Sequence, residues 1–171
     1  LLIRAGAPFA PESVGGGQER RRRAGTENVA GICGFAAAVD AADPGEPERL
    51  RGLRDRFEAI VKDQAPEVTI WGVGAERLPN TSCLSAPGWP SEIQVIAMDL
   101  AGFEVSAGSA CSSGKVRKSA VLEAMGAAEE HAQSALRVSF GWTNTEDDVD
   151  RFADAWLSEY ERARPKEAAT A

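Results

Sequence analysis

The longest regular pattern of apolar residues lies between residues 47 and 64, where they recur every three or four positions. Such spacing places them on one face of an α-helix. The residues of this stripe are Leu50, Leu53, Phe57, Ile60 and Val61. A second stripe follows Thr145 and Asp148, whose spacing is typical of a capping box at a helix N-terminus. Its members are Val149, Phe152, Ala153, Trp156, Leu157 and Tyr160.

Shorter segments also carry helical signals. Residues 27–42 follow Thr26, a good N-cap residue, and their apolar stripe includes Cys33, which we expect to lie in the core. Residues 91–101 form a further helical pattern, and a short helix is expected after Ser119. The apolar residues of the 91–101 pattern that we expect to be buried are Ile93, Ile96, Ala97 and Leu100.

Strand signals are interspersed with these helices. The predicted strands are residues 68–73, 81–85, 103–105 and 135–140. Alternation in the last of them places Arg137 and Ser139 on the face opposite its apolar residues. Cys83 has no charged neighbour in the sequence, so we expect a structural role for it. The interleaved order, with hairpin-like pairs, predicts an α+β fold in which helices pack on a small mixed or antiparallel sheet.

Composition narrows the function classes. The chain has 171 residues, of which 43% are hydrophobic and 26% charged, as in an ordinary globular domain. A formal net charge of -7 argues against general nucleic-acid binding. We find no apolar run of the length that a membrane span needs, and we expect no membrane association.

The cysteines and the histidine limit the possible chemistry. The three cysteines show no C-x-x-C spacing, which fits a reducing compartment, and we expect a cytoplasmic protein. The same spacing excludes a usual zinc site. A single histidine, His131, excludes a His-rich metal site, so no metal is expected.

Cys111 is the strongest candidate for chemistry. It lies among glycines and small residues, and Lys115, Arg117 and Lys118 follow closely. Nearby cations favour the thiolate, which is the reactive form of cysteine. An ordinary surface cysteine in a Ser/Gly loop fits the local chemistry equally well.

Three motifs in order resemble the cysteine desulfurases, a branch of the class V aminotransferase-like enzymes that use pyridoxal 5'-phosphate (PLP). The first is G-G-G-Q-E-R-R-R-R-A-G-T-E-N-V, at residues 15–29. The second is G-S-A-C-S-S-G, at residues 108–114, followed by S-A-V-L-E-A-M-G. The third is S-A-L-R-V-S-F-G, at residues 134–141. The resemblance implies the small C-terminal domain of fold-type I PLP enzymes.

The resemblance also implies roles for three residues. Cys111 matches the nucleophile that takes sulfur from L-cysteine as a persulfide, with release of alanine. Arg137 matches the arginine that binds the substrate carboxylate, and Thr26 matches the threonine that reaches the cofactor phosphate of the partner subunit. A homodimer and a sulfur-acceptor or scaffold protein, serving iron–sulfur assembly or another sulfur-transfer pathway, follow from the same resemblance.

The sequence departs from the family pattern at two points. Arg21 stands where related sequences usually have glycine, and none of the four lysines matches the lysine that carries PLP. We therefore expect a C-terminal part of an enzyme, inactive alone. Residues 1–26 would be a remnant of the large domain and linker, 27–165 the small domain and 166–171 a frayed tail. A selenocysteine lyase, an aminotransferase, or a non-catalytic dimerisation or sulfur-accepting module remain alternatives.

Overall fold

The computed structural model describes residues 3–108 and 119–164. Backbone contacts divide the chain into two units, Leu1–Asp43 and Pro44–Ala171. The first unit contains α1, Gln18–Arg21, and α2, Val29–Asp40. The second contains all the strands and the remaining helices. The predicted domain boundary between residues 26 and 27 stays a prediction.

The N-cap of α2 is Asn28, not Thr26 as the sequence suggested. The Asn28 side chain accepts a hydrogen bond from the backbone N–H of Gly31 at 3.1 Å. Asparagine is at least as favourable as threonine at this position, because its side-chain oxygen satisfies one of the free N–H groups of the first turn. The helix therefore starts two residues later than predicted.

The apolar side chains of α2 are exposed in the described chain. Phe35 is 72% exposed, and Val29, Ile32 and Val39 are similarly accessible. Cys33 is also exposed, which corrects its expected place in the core. A helix buries an apolar face only where another element packs against it. The first unit offers only the four-residue α1 for that purpose among its described residues.

The second unit is a layer of helices on one antiparallel sheet. Its elements are α3 Glu46–Gln64, β1 Thr69–Ile70, β2 Thr81–Ser85, α4 Ser91–Leu100, β3 Ser106–Ala107, α5 Ala120–Ala124, α6 Glu129–Gln133, β4 Ala135–Ser139 and α7 Glu146–Ala163. The strand order is β1-β2-β4-β3, and every pairing is antiparallel. The predicted α+β class is confirmed, with the antiparallel alternative realised.

One face of this sheet carries the main core. Alternation along β2 and β4 turns Leu84, Leu136 and Val138 towards α3, α4 and α7. The predicted stripes of α3 and α7 meet there. Phe57 of α3 and Phe152 of α7 pack with ring centroids 5.3 Å apart. The predicted capping box of α7 is confirmed, because Thr145 and Asp148 exchange the two expected hydrogen bonds.

The buried face of α4 differs from the prediction. Gln94 and Met98 are buried, while Leu100 is 84% exposed and Ile93 and Ile96 are also accessible. Gln94 can be buried because its polar groups are satisfied. Its Nε2 donates to the carbonyls of Trp89 and Ser134, each at 2.8 Å, and its Oε1 accepts from the indole of Trp156 at 3.3 Å. Because Gln94 and Met98 face the core, Ile93, Ile96 and Leu100 lie on the accessible side of α4.

The other face of the sheet is covered only in part. The short helices α5 and α6 supply Leu122 and Ala132, which pack with Ala135 of β4 and with Trp71. Ser119 caps α5 as predicted, accepting from the N–H of Leu122 at 3.3 Å. The rest of this face, beyond Ala135 along β4, stays accessible and is called the open face below. No helix within residues 3–108 and 119–164 combines the length and apolar character needed to cross a membrane.

Candidate functional site

Arg137 stands on the open face, in the middle of β4. Its neighbours in the sequence, Leu136 and Val138, are buried on the core side, so alternation leaves the Arg137 side chain exposed. The Nε of Arg137 donates to the carbonyl of Ala107 on β3 at 3.3 Å. One donor therefore anchors the guanidinium at the sheet edge. A planar fork held in this way can bind a carboxylate with two hydrogen bonds.

The cross-strand neighbours of Arg137 are Cys83 on β2 and Ser106 on β3. Residues directly opposite in an antiparallel pair share a face and lie close together. Burial raises the pKa of the Cys83 thiol, and the positive charge of Arg137 lowers it in part. Cys83 therefore has a charged neighbour in space, which its flanking sequence does not reveal. Only the pairing of β2 with β4 shows it.

Cys111 lies outside the described residues, as do Lys115, Arg117 and Lys118. The described chain shows how their segment begins. Gly108 donates its N–H to the carbonyl of Ala135 at 2.6 Å. A Cβ on Gly108 would lie 2.5 Å from the Cβ of Ala135, so a larger residue cannot make this approach. Because residue 108 is glycine, the backbone directly after β3 can stay in close contact with β4.

Chain connectivity limits the distance between the two candidates. Ala107, which accepts the hydrogen bond from Arg137, precedes Cys111 by four residues. Four residues of fully extended chain span at most about 14 Å. Chain connectivity therefore limits Cys111 to about that distance from Ala107.

Polar and aromatic side chains border the open face on the side of α6. The indole of Trp71 donates to the hydroxyl of Ser85 at 2.7 Å, and that hydroxyl donates to the carbonyl of His131 at 2.7 Å. The His131 ring lies edge-on to Trp71, with centroids 6.0 Å apart. His131 is half-buried rather than fully exposed, and its Nδ1 has no hydrogen-bond partner among the described residues. These contacts fix the Trp71 side chain, and the backbone N–H of Trp71 donates to the carbonyl of Cys83 at 2.8 Å.

Thr26 belongs to the first unit and is exposed. Its carbonyl accepts a hydrogen bond from the guanidinium of Arg23 at 2.8 Å. Arg21 and Arg23, with the Gly15, Gly16 and Gly17 backbone, line a cavity of about 280 Å³. Arginine guanidiniums beside glycine backbone are suited to an anion.

Arg21 has a backbone φ of +64°. Positive φ favours glycine, so this position explains why glycine is usual there in the resembled family. The preceding Glu19 and Arg20 also have positive φ, at +50° and +58°. The arginine is therefore held in a strained conformation.

The described residues contain no group of three potential metal ligands among histidine, cysteine, aspartate and glutamate. The site as described is instead a guanidinium and a thiol on one sheet face. Of the three residues expected from the sequence, Arg137 lies on the open face, Cys111 lies beyond the described chain and Thr26 lies in the other unit.

The sequence of this chain is similar to that of known proteins over most of its length. Residues 9–152 match the family described as aminotransferase class-V. A cysteine desulfurase of Cereibacter sphaeroides is 39% identical over 154 residues, covering 90% of this chain and 40% of that protein. Cysteine desulfurase IscS 1 of Archaeoglobus fulgidus is 39% identical over 168 residues, covering 96% of this chain and 44% of that protein.

Solved structures agree with these relatives. The X-ray structure of a NifS-like protein from Rickettsia africae superposes with a TM-score of 0.74 at 35% identity, covering 89% of this chain and 40% of that one. Another NifS-like protein gives a TM-score of 0.79 at 31% identity, with 94% and 41% covered. The chain spans about two fifths of the length of the curated relatives it matches. The resemblance to the cysteine desulfurases is confirmed, and the chain belongs to the class-V aminotransferase family.

Proposed function

We propose that the chain is part of a PLP-dependent cysteine desulfurase, which takes sulfur from L-cysteine onto Cys111 and releases alanine. The relatives that it matches over nearly its whole length carry the name cysteine desulfurase. The observation that carries the proposal is the hydrogen bond from Arg137 to Ala107, four residues before Cys111. In the proposal, this bond holds the carboxylate-binding guanidinium against β3, the strand that precedes Cys111 in the sequence.

In this proposal Arg137 binds the carboxylate of L-cysteine on the open face. The thiolate of Cys111 attacks the substrate sulfur, forming an S–S bond as the C–S bond of the substrate breaks. Lys115, Arg117 and Lys118 favour the thiolate because their charges stabilise it. Cys83, whose pKa is raised by burial, stays a neutral thiol near pH 7 and does not compete as the nucleophile.

The residues of this chain fit the phosphate end of PLP. Thr26 is exposed, and Arg23 binds its carbonyl, so a hydroxyl and a cation lie together where a phosphate can bind. When bound, PLP withdraws electrons from the amino-acid substrate. Lys62 is exposed on α3, and the other three lysines lie beyond the described residues. None matches the cofactor lysine in sequence, so we place that lysine outside these 171 residues.

The organisation of the working enzyme is proposed on the same grounds. Residues 1–26 would join a larger cofactor-binding domain, and residues 27–165 would form the small domain. Thr26 would reach the cofactor phosphate of a second subunit, which makes the enzyme a homodimer. The persulfide on Cys111 would pass to an acceptor or scaffold protein in the cytoplasm.

A chimera tests the proposal. The chain is joined to the part of the Cereibacter sphaeroides desulfurase that it does not match, and alanine and sulfide are measured with L-cysteine and a reducing thiol. We expect turnover in the chimera, and at least a hundredfold less sulfide with Cys111→Ser while the PLP absorbance is kept. Arg137→Ala should raise KM for L-cysteine about ten- to a hundredfold, since a charge-assisted pair is lost.

Cys33→Ser is the matched control, because Cys33 is an exposed thiol outside the proposed site. It should leave turnover unchanged. Sulfide production that survives Cys111→Ser but disappears with Cys83→Ser would show that the nucleophile has been assigned to the wrong thiol. Loss of PLP from Arg137→Ala, with KM unchanged in the molecules that keep it, would contradict the carboxylate role.

A further inference from the structure

The β3–β4 pairing is shorter than the length of β4 would allow. Pairing stops at Ser106, opposite Arg137, although β4 continues to Ser139. The same register extended by two residues would place Glu104 opposite Ser139. Phe140 donates its N–H to Asn80 on the β2 side, so alternation turns the N–H and carbonyl of Ser139 to the β3 side. The backbone N–H and carbonyl of Ser139 therefore face a gap, because the chain at Glu104 is not part of β3.

A cavity of about 420 Å³ opens at this gap. Its floor is aromatic and consists of Phe103, Phe140 and Phe152. The rings of Phe103 and Phe152 meet edge to face, with centroids 5.4 Å apart, which fixes the shape of the floor. A cavity of this size, with free strand groups at its mouth, suits an extended peptide that adds to a sheet edge.

The rim of the cavity is acidic. Glu104 and Asp148 line it together with Arg151. Arg151 binds both Asp147 and Asp148, so its charge is already balanced. Glu104 is exposed and forms no ion pair within residues 3–108 and 119–164. The rim therefore offers negative charge that favours a basic partner.

We infer that this groove binds an extended segment of a partner protein in which large apolar side chains alternate with basic ones. The segment pairs with the backbone of Ser139 and places alternate side chains over the aromatic floor, because successive side chains of a strand point to opposite faces. Its basic residues are attracted by the exposed carboxylate of Glu104. This surface is separate from the proposed sulfur chemistry and stands without it.

The probe is the peptide acetyl-Lys-Phe-Lys-Phe-Lys-amide, and its binding to the whole chain is measured by calorimetry. We expect saturable binding, weakened at least fivefold by Glu104→Lys in the protein. Ser106 already lies opposite Arg137, so the peptide residue that pairs with Ser139 is an end residue. Methylation of the backbone nitrogens of both end lysines should therefore weaken binding at least tenfold, because it removes the N–H offered to Ser139. Glu76→Lys, an exposed acid outside the groove, is the matched control and should keep full affinity.

Four outcomes would overturn the inference. The first is equal binding of the acidic peptide acetyl-Glu-Phe-Glu-Phe-Glu-amide, and the second is no binding of the basic peptide at millimolar concentration. The third is unchanged affinity after methylation, which would show that strand pairing does not contribute to binding. The fourth is a chain dimer, seen by light scattering, that the peptide dissociates, because the occupant is then a second copy. Circular dichroism checks that Glu104→Lys remains folded.

Discussion

Replacing Glu58 by glutamine is expected to destabilise the second unit by about 2–4 kcal/mol, because it disrupts a buried ionic cluster. Glu58 lies on α3 and is 4% exposed. It accepts two hydrogen bonds from the guanidinium of Arg77, at 2.7 and 3.0 Å, and one from Ser82 at 2.8 Å. The cluster thus connects α3 to β2 and to the loop before it.

The size of this loss in the free energy of unfolding follows from the groups that Glu58→Gln leaves without a partner. Glutamine keeps the size of the side chain but loses its charge and one of two acceptor oxygens. Each hydrogen bond to a charged group contributes roughly 1.5–3 kcal/mol, and Arg77 would stay largely buried without a counter-ion. Replacing both Glu58 and Arg77 by methionine should recover most of the loss, since no unpaired charge is then buried.

The pH dependence has a definite sign. Burial alone would raise the pKa of Glu58, but hydrogen bonds from Arg77 and Ser82 and the charges of Arg77 and Arg54 bring it below its ordinary value of 4.5. A pKa that is lower in the folded state than in the unfolded state contributes stability that is fully present above the unfolded pKa. The difference between wild type and Glu58→Gln should be full at pH 7 and shrink as the pH falls through the folded pKa.

Urea unfolding followed by tryptophan fluorescence measures this effect. All four tryptophans lie in the second unit, so the signal reports on that unit. With a urea slope of roughly 2 kcal/mol per molar, the midpoint should fall by about 1–2 M. Glu76→Gln, at an exposed loop position, is the matched control. A Glu58→Gln midpoint no lower than that of the control would refute the reasoning.

Three further predictions rest on single positions. Gly108→Ala should cost about 1–3 kcal/mol in the urea assay, because its Cβ would meet β4 at 2.5 Å, whereas Gly52→Ala in open space on α3 should stabilise by about 0.5–1 kcal/mol. Arg21→Gly should relieve roughly 1 kcal/mol of backbone strain, seen as slower amide exchange around residue 21. Iodoacetamide with mass mapping should label Cys83 more slowly than the exposed Cys33, and equal rates would contradict the burial effect.

The local pattern of apolar residues was sufficient to predict the buried face of those helices and strands that contact one apolar layer. The stripes of α3 and α7 and the alternation of β4 predicted the buried residues, because each element meets one apolar layer. The capping box at Thr145 needed only residues three positions apart in the chain. Such signals depend on neighbours in sequence, so the sequence contains them in full.

The features that were predicted wrongly depend on contacts between residues that are far apart in the sequence. The burial of Gln94 depends on Trp89, Ser134 and Trp156, which no local pattern links. The charged neighbour of Cys83 is 54 positions away in the chain and appears only once β2 and β4 are paired. The α2 face was expected in the core because its stripe is regular, yet regularity alone does not supply a packing partner.

The incomplete cover of the sheet leaves space for the carboxylate site that we propose at Arg137. Helices of 10 to 19 residues cover the core face, whereas α5 and α6, of five residues each, cover only the end of the other face near Ala135. Residues beyond that end stay open, and Arg137 is among them. In the sequence the Cys111 segment lies between β3 and α5, so the short helix α5 directly follows the proposed nucleophile. Lengthening α5 towards Arg137 would cover the guanidinium, and the proposed carboxylate site would be lost.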